Sequence, residues 1–392
     1  MKTRTKLLLE NTALLGGTAW LLRKRLQGSV FPLTSVVGRE PDQLNLGVPA
    51  GLDAAHPMKG MSAFEWWYFD ATFTDGHTFA AAFGNMKPQV YMHINCPDGK
   101  ELRVFDKYPK SSYVASPDEC DVKIEQSRVH GTYPVYEMDA YGRNGVEAHL
   151  KFENMLPGWA HGDGQYMIGS YADPRYFGWC VAQPRAKVTG TMKYDGKEFA
   201  VEGEGYHDHN WGDFNFYTYL SRWIWGRITT DELSVDFADV IFNKSCGGVH
   251  LPLIMVARGD RIVFETFNVE WKYDDYRLDD AGEQCYPHKL SCVFSERDVK
   301  GTLEYTTSGV LETDDMMKDM KIPDWAIGPI GKYIARPIYY RLNADYTGAI
   351  DFGEEHVDVA GEMIVEYMLF NLRRGQVPKE KGYKHFLKPA GR

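Results

Sequence analysis

Cysteine is scarce and shows no pairing pattern. The 392-residue chain has six (Cys96, Cys120, Cys180, Cys246, Cys285, Cys292), and none forms a CxxC pair. That dispersion excludes a structural zinc module and a dense disulfide framework. The spacing of Cys285 and Cys292 leaves one small disulfide-closed loop as an alternative. Positive charge is also short: 44 Lys+Arg stand against 54 Asp+Glu, for a net charge of -10. Phosphate backbones are bound by clustered Lys and Arg, so this balance excludes a nucleic-acid partner. No run of about 20 apolar residues occurs, and the mean hydropathy is -0.41, which argues against an embedded helical bundle. Nucleotide and hydrolase signatures are missing as well: no Walker A run, no GxGxxG after a strand, no HExxH and no GxSxG.

What the chain does have is rings. Its 10 Trp, 24 Tyr and 20 Phe make aromatic side chains as numerous as the 54 acidic ones. With 44% hydrophobic residues, such a chain buries enough apolar surface to offset its conformational entropy. Its length exceeds one ordinary domain and suits two.

Residues 1–30 read as an amphipathic helix. Lys2, Arg4 and Lys6 precede Leu7–Leu9, Glu10 and Asn11 interrupt, Ala13–Leu22 is apolar apart from Thr18, and Arg23, Lys24 and Arg25 follow. The interruption and the basic residues at the cleavage position do not fit a secretory signal. As a helix, 7–22 rises about 24 Å against a hydrocarbon core of about 30 Å. Two readings fit: a helix lying in an anionic leaflet, with peripheral membrane contact through residues 1–26 of a cytoplasmic protein, or a helix packed on the protein's own body.

From about Glu65 the pattern becomes β. Short runs of Val, Ile, Thr, Tyr, Phe and Trp alternate with polar residues and are separated by turn pairs: Asp75-Gly76, Asp98-Gly99, Asn144-Gly145, Asp195-Gly196 and Gly259-Asp260. Strands every 10 to 15 residues without helical periodicity predict an all-β antiparallel sandwich or barrel. We divide the chain into β sets over 50–215 and 216–375, with a basic tail at 376–392. Second-set strands are expected at 217–227, 233–243, 249–258, 261–272, 299–307, 344–352 and 357–372. Between Glu312 and Ile334 the pattern breaks, which predicts an inserted loop or short helices.

The densest polar constellation is Gly203-Glu204-Gly205-Tyr206-His207-Asp208-His209-Asn210-Trp211-Gly212. On a strand, Glu204, Tyr206, Asp208 and Asn210 share one face while His207, His209 and Trp211 share the other. His207 and His209 offer two imidazoles, but no third ligand stands at a recognisable spacing, so no metal is expected. Tyr206 with Asp208 is the better acid/base pair, because a carboxyl buried among rings stays protonated near neutral pH. The plainer alternative is a polar bend whose side chains cap backbone groups.

Three further runs are aromatic. Glu65-Trp66-Trp67-Tyr68-Phe69-Asp70-Ala71 alternates Glu65, Trp67 and Phe69 against Trp66, Tyr68 and Asp70. Tyr176 to Ala186 carries Trp179, and Arg185, which either holds a substrate oxygen or forms a structural ion pair. Tyr217, Tyr219, Trp223 and Trp225 share the odd face of a strand, a pattern that plain core also produces. Rings beside one or two carboxyls can bind an apolar extended molecule, protonate an alkene and shelter the cation. We assign Asp208 as general acid and Tyr206 as its orienting or relaying partner. Trp66, Trp67, Trp179 and Trp211 are assigned as pocket walls, and no cofactor is called for. The rival readings are an isomerising or cyclising enzyme and a carrier that leaves its hydrophobic ligand unchanged.

The EWWYFDA run at 65–71, the W-x-x-x-x-P-R-A run at 179–186 and the G-x-G-Y-H-D-H-N-W-G run at 203–212 together resemble the carotenoid 1,2-hydratase (hydroxyneurosporene synthase) superfamily. That superfamily includes AttH-like proteins, kievitone hydratase-type enzymes and decalin-forming Diels-Alderases. The resemblance covers most of residues 50–375 and implies two tandem lipocalin-like β domains with a lipophilic ligand in or between them. It also implies that Tyr206 and Asp208 protonate an alkene of an isoprenoid, polyene or polyketide-like substrate. Hydration is the leading reaction. One departure stands out: Phe177 occupies the position where the hydratases carry a His, a residue suited to activating water.

Overall fold

The computed structural model describes residues 29–32, 39–56, 58, 63–170, 173–215, 219–243, 248–279, 284–315, 337–370 and 375–378. The fold is all-β, in two antiparallel sheets. The first holds β1 (Ser29–Pro32), β2 (Phe64–Phe73), β3 (Thr78–Gly84), β4 (Gln89–Asn95), β5 (Glu101–Lys107), β6 (Tyr113–Ala115), β7 (Cys120–Ile124), β8 (Ser127–Thr132), β9 (Val135–Tyr141), β10 (Glu147–Asn154), β11 (Gln165–Ser170), β12 (Asp173–Tyr194) and β13 (Lys197–Gly212). The second holds β14 (Leu220–Thr229), β15 (Leu233–Phe242), β16 (His250–Arg258), β17 (Arg261–Thr266), β18 (Val269–Asp279), β19 (Gln284–Glu296), β20 (Val299–Asp315), β21 (Ile338–Phe352) and β22 (Glu355–Leu369).

Both sheets are wound the same way. The main path of the first runs β5-β4-β3-β2-β13-β12-β10-β9-β8-β7-β6, and the second runs β17-β16-β15-β14-β22-β21-β20-β19-β18. In each, an early strand pairs with the last one, β2 with β13 and β14 with β22. This is the up-and-down order of tandem lipocalin-like units. Hairpin turns set the register. Between β12 and β13, Asp195 and Gly196 both take positive φ (51° and 71°), the backbone of a two-residue turn that matches strand twist.

Alternation decides what each sheet encloses. Trp67, Phe69, Phe152, Cys180 and Trp211 belong to the core inside the first sheet, and Phe237, Trp271, Tyr305 and Tyr340 to the core inside the second. A third apolar cluster lies between the sheets and unites Tyr166, Phe177, Trp179 and Tyr206 of one with Trp225, Leu253, Met255 and Met368 of the other. Strand β15 is buried along its whole length, because one face meets its own core and the other meets the first sheet. Buried and part-buried polar groups clasp the halves together. The Arg39 guanidinium pairs with Glu265 at 3.2 Å, Trp159 Nε1 donates to Glu265 Oε2 at 2.7 Å, and Arg227 pairs with Asp70. Burial pushes the Glu265 carboxyl up, but His161 and Arg39 outweigh it and hold its pKa below the usual value.

Several expectations need correcting. Ser29 and Val30 belong to β1, which pairs with β11, so a helix over 1–30 overruns a strand; residues 1–28 lie outside the described residues. Glu312–Asp315 continue β20, so the break starts later than expected, and 316–336 lie outside the described residues. Strand β19 was missed, its alternation of buried His288, Leu290, Cys292 and Phe294 being masked by Pro287 and a polar outer face. Cys285 and Cys292 are both free. Seven residues apart on one extended strand, they stand about 23 Å apart and cannot bridge. Of the basic tail only 376–378 is described. No helix among the described residues is long and apolar enough to cross a membrane.

Candidate active site

The antiparallel pairing of β2 with β13 places Tyr68 opposite Asp208 and Trp66 opposite Asn210. Because side chains alternate, these four project from the first sheet toward the second. Trp179 comes to the same face from β12, where it is the register partner of Asn210. Opposite them, β14 contributes Trp223 and Trp225 and β22 contributes Glu366. Together with Phe177, Ala238 and Val240 they line an interfacial cavity of ≈ 80 Å³. Its walls are mostly rings, and its polar side chains are the Asp208 and Glu366 carboxyls, the Asn210 amide and the Tyr68 phenol.

Asp208 is suspended by three donors. Tyr206 Oη and Trp179 Nε1 each donate to Oδ2 at 2.9 Å, and Asn210 Nδ2 donates to Oδ1 at 2.9 Å. Burial disfavours the carboxylate and outweighs these stabilising bonds, so the pKa is pushed up from 3.8 to about 7. Oδ1 takes one bond where Oδ2 takes two, which leaves Oδ1 the oxygen with room for a transferable proton. Tyr206 is fully buried behind the acid, its ring 4.8 Å from that of Trp225, with the Arg227 guanidinium 5.0 Å over its face. Its phenol is pushed well above the usual range by burial and by Asp208. Its hydroxyl is thus held as a hydrogen-bond donor to the Asp208 carboxyl.

The opposite wall holds a second carboxyl. Glu366 Oε1 accepts from Tyr68 Oη at 2.8 Å and from Tyr339 Oη at 2.6 Å. Arg341 faces Glu366 across the β21–β22 ladder and is 2% exposed. Burial raises the Glu366 pKa, with Arg341 and the two phenols pulling against it. Tyr68 also reaches Asp70 Oδ2 at 3.3 Å, and Asp70 holds Arg227.

The structure brings only some of the assigned residues together. Asp208, Trp66 and Trp179 line the cavity, and Tyr206 supports Asp208 from behind. Trp67 and Trp211 do not reach it. Both lie on the odd face and are fully buried in the first sheet's own core, where Trp211 stacks on His56 at 3.8 Å and Trp67 stacks on His209 at 4.3 Å. Gly178 lets the Trp211 indole lie against β12: a Cβ there would meet the ring at 1.9 Å. Arg185 is also elsewhere, in a paired contact with Glu204 at 2.8 Å and with the Thr230 carbonyl at 3.0 Å. It forms an ion pair within the first sheet and reaches the turn after β14 through the Thr230 carbonyl. Tyr68, Trp223, Trp225 and Glu366 also line the cavity and are not among the assigned residues. Trp223 and Trp225 belong to the odd-face aromatic ladder that plain core also produces, and Glu366 sits in an ordinary-looking strand.

The histidines of the motif face inward. The His207 Nδ1–H donates to the Tyr68 carbonyl at 2.9 Å and Nε2 meets Asp53 Oδ2 at 3.1 Å, while His209 Nε2 meets Glu65 Oε1 at 3.1 Å. Two groups among the described residues put metal-type donors near one another, Asp53–Cys120–His207 and His56–Glu65–His209. In the first, burial and then Asp53 push the Cys120 thiol well up. In the second, Glu65 is already engaged by the His56 backbone N–H at 2.6 Å and by His209. These side chains form hydrogen-bonded contacts inside the first sheet.

Comparisons with known proteins find similar folds. No protein-family model matches the chain. The hydroxyneurosporene dehydrogenase of Chlorobaculum tepidum is 24% identical over 260 residues, covering 54% of this chain, and the match spans 65% of that relative's length. Among solved structures, an AttH-like protein from Nitrosomonas europaea has a TM-score of 0.57 at 13% identity, over 87% of this chain and 100% of its own. CghA in complex with Sch210972 gives 0.58 at 14%, over 89% and 99%. Kievitone hydratase from Nectria haematococca gives 0.53 at 13%, over 87% and 99%. These likenesses establish the shared fold and match the superfamily that the three motif runs resemble.

Proposed function

We propose that the chain is a cofactor-independent enzyme that binds one end of an extended lipophile between its two sheets and adds water to an alkene there. The observation that carries this reading is Asp208, an acid pushed up to about 7 and facing a cavity walled by Trp66, Trp179, Trp223 and Trp225. A carboxylic acid with a pKa near the working pH is matched to proton donation. Ring faces in a desolvated site stabilise the cation that protonation creates. The cavity is small beside the roughly 300–1,000 Å³ of sites that enclose a drug-sized molecule, which suits reaction at a chain terminus. The named relatives support this substrate class: one name contains hydroxyneurosporene, another is a kievitone hydratase, and CghA holds Sch210972.

The test uses neurosporene in detergent micelles, with kievitone as a second probe, in ¹⁸O-labelled water. Labelled hydrate is expected from the wild-type chain and none from Asp208→Asn. Turnover by Asp208→Asn at the wild-type rate would overturn the reading. Product without ¹⁸O would favour an isomerase or cyclase, a reading that Phe177 supports by placing an apolar ring in the wall. Bound but unchanged ligand would mark a carrier. Peripheral membrane contact through residues 1–26 belongs to the same proposal. Deleting them should abolish sedimentation with anionic liposomes, and full retention of binding would sink that part.

A further inference from the structure

We infer that Glu366 is the catalytic base that activates the attacking water, set across the interface from the acid. This rests on the reading of Asp208 as the proton donor and adds the second half of the addition. Phe177 and the tryptophans give their walls no basic group, so a base must come from elsewhere, and the second sheet supplies one. Glu366 borders the same cavity as Asp208 and is close enough for its charge to act on that acid.

The carboxyl is held as a base needs to be held. Both phenol hydrogen bonds, from Tyr68 and Tyr339, converge on Oε1. Oε2 takes no hydrogen bond from the described residues, so its lone pairs are available to a water. Burial, and then the neighbouring carboxyls, push both phenols well above their usual range, so they remain donors and fix the carboxyl's orientation. The charged and titratable groups facing Glu366 are Tyr68 and Asp70 on β2, Asp208 on β13, and Tyr339 and Arg341 on β21. Arg341, the cation among them, favours the ionised form. A carboxylate made more basic by burial is a stronger proton acceptor than an exposed one.

The step balances without any other reactant. The Asp208 O–H bond breaks as a C–H bond forms at one alkene carbon, and the π pair is consumed, leaving the other carbon cationic among the rings. Water forms a C–O bond at that carbon while one of its O–H bonds breaks, and the released proton goes to Glu366 Oε2. Asp208 ends ionised and Glu366 protonated, and exchange with solvent after product release resets both. Acid on one sheet and base on the other also fix the faces from which proton and hydroxyl add.

The test uses the full chain and neurosporene in D₂O containing ¹⁸O-labelled water. Glu366→Gln keeps an acceptor for both phenols and so preserves the site. Its expected signature is split: deuterium still washes into recovered alkene through Asp208, while formation of ¹⁸O hydrate falls about 10²–10⁴-fold. Glu366→Asp should recover part of that loss. Hydration by Glu366→Gln within threefold of wild type would overturn the inference while leaving the acid intact. Deuterium wash-in that survives Asp208→Asn would instead overturn the acid reading. If wild-type protein places neither isotope in neurosporene or kievitone, hydration and this inference fail together.

Discussion

Replacing Asp208 by Asn should make the protein more stable, and by an amount that depends on pH. The folded state holds this carboxyl at about 7 against an ordinary 3.8, chiefly through burial and in spite of the Tyr206 and Trp179 hydrogen bonds. A raised acid pKa means that the unfolded chain gives up its proton first. Between those two pH values the folded state binds more protons, so stability falls as pH rises through the window. About three pH units at about 1.4 kcal/mol each give a cost of roughly 4 kcal/mol, fully present above pH 7 and nearly absent at pH 4. Asn is close in shape and does not ionise. Its altered hydrogen bonding with Asn210 contributes equally at every pH and cancels when two pH values are compared. Urea unfolding of both proteins, followed by tryptophan fluorescence at pH 4 and pH 8, should show the variant's advantage growing by roughly 3–4 kcal/mol. A difference that stays constant within about 1 kcal/mol would refute the claim that the fold keeps Asp208 as an acid.

Other substitutions separate pocket from core. Trp225→Phe should raise KM for the lipophile, since Trp225 borders the cavity. Trp211→Phe should lower stability by roughly 1–3 kcal/mol through an internal void while leaving KM unchanged. Equal effects on KM would show the faces to be misassigned. On the acid side, burial holds His93 and His161 down at about 4 from 6.5. Each therefore costs nothing above pH 6.5 and destabilises the fold increasingly as pH falls toward 4, by up to about 3 kcal/mol. His161→Gln should therefore lose less melting temperature than wild type between pH 7 and 4.5. An identical drop would show that His161 ionises freely in the fold.

The β character and the turn pairs were legible because half-buried strands alternate and tight turns need residues that tolerate positive φ. The face assignments for 65–71 and 203–212 were legible for the same reason. Those assignments already put Trp67 opposite Trp66, and Trp211 opposite Asp208. Trp67 and Trp211 have the ring chemistry of pocket walls, but their parity places them in the first sheet's core. Glu366 was not legible. It meets Tyr68 from 298 positions away in the chain, and a lone Glu at the end of an apolar strand carries no local sign of burial. Strand β15 gives the converse difficulty, because a segment buried on both faces loses the alternation that marks an interface.

The turn at Asp195-Gly196 is in effect the zero mark of a ruler. Asp208 lies twelve residues beyond it, about 40 Å along β13, and which side of the sheet it occupies depends on whether that count is even or odd. Inserting one residue between Gly196 and Gly205 without a compensating bulge of the kind β12 carries between Cys180 and Ala186 would offer His207 and His209 to the cavity and turn Asp208 into the first sheet's core. Inserting two would restore the side but carry the carboxyl about 7 Å past Trp179. The chemistry is thus indexed by chain length at a place remote from it, where deletions would otherwise look harmless. Natural variation in the length of this hairpin should come in compensated pairs or fall outside the segment altogether.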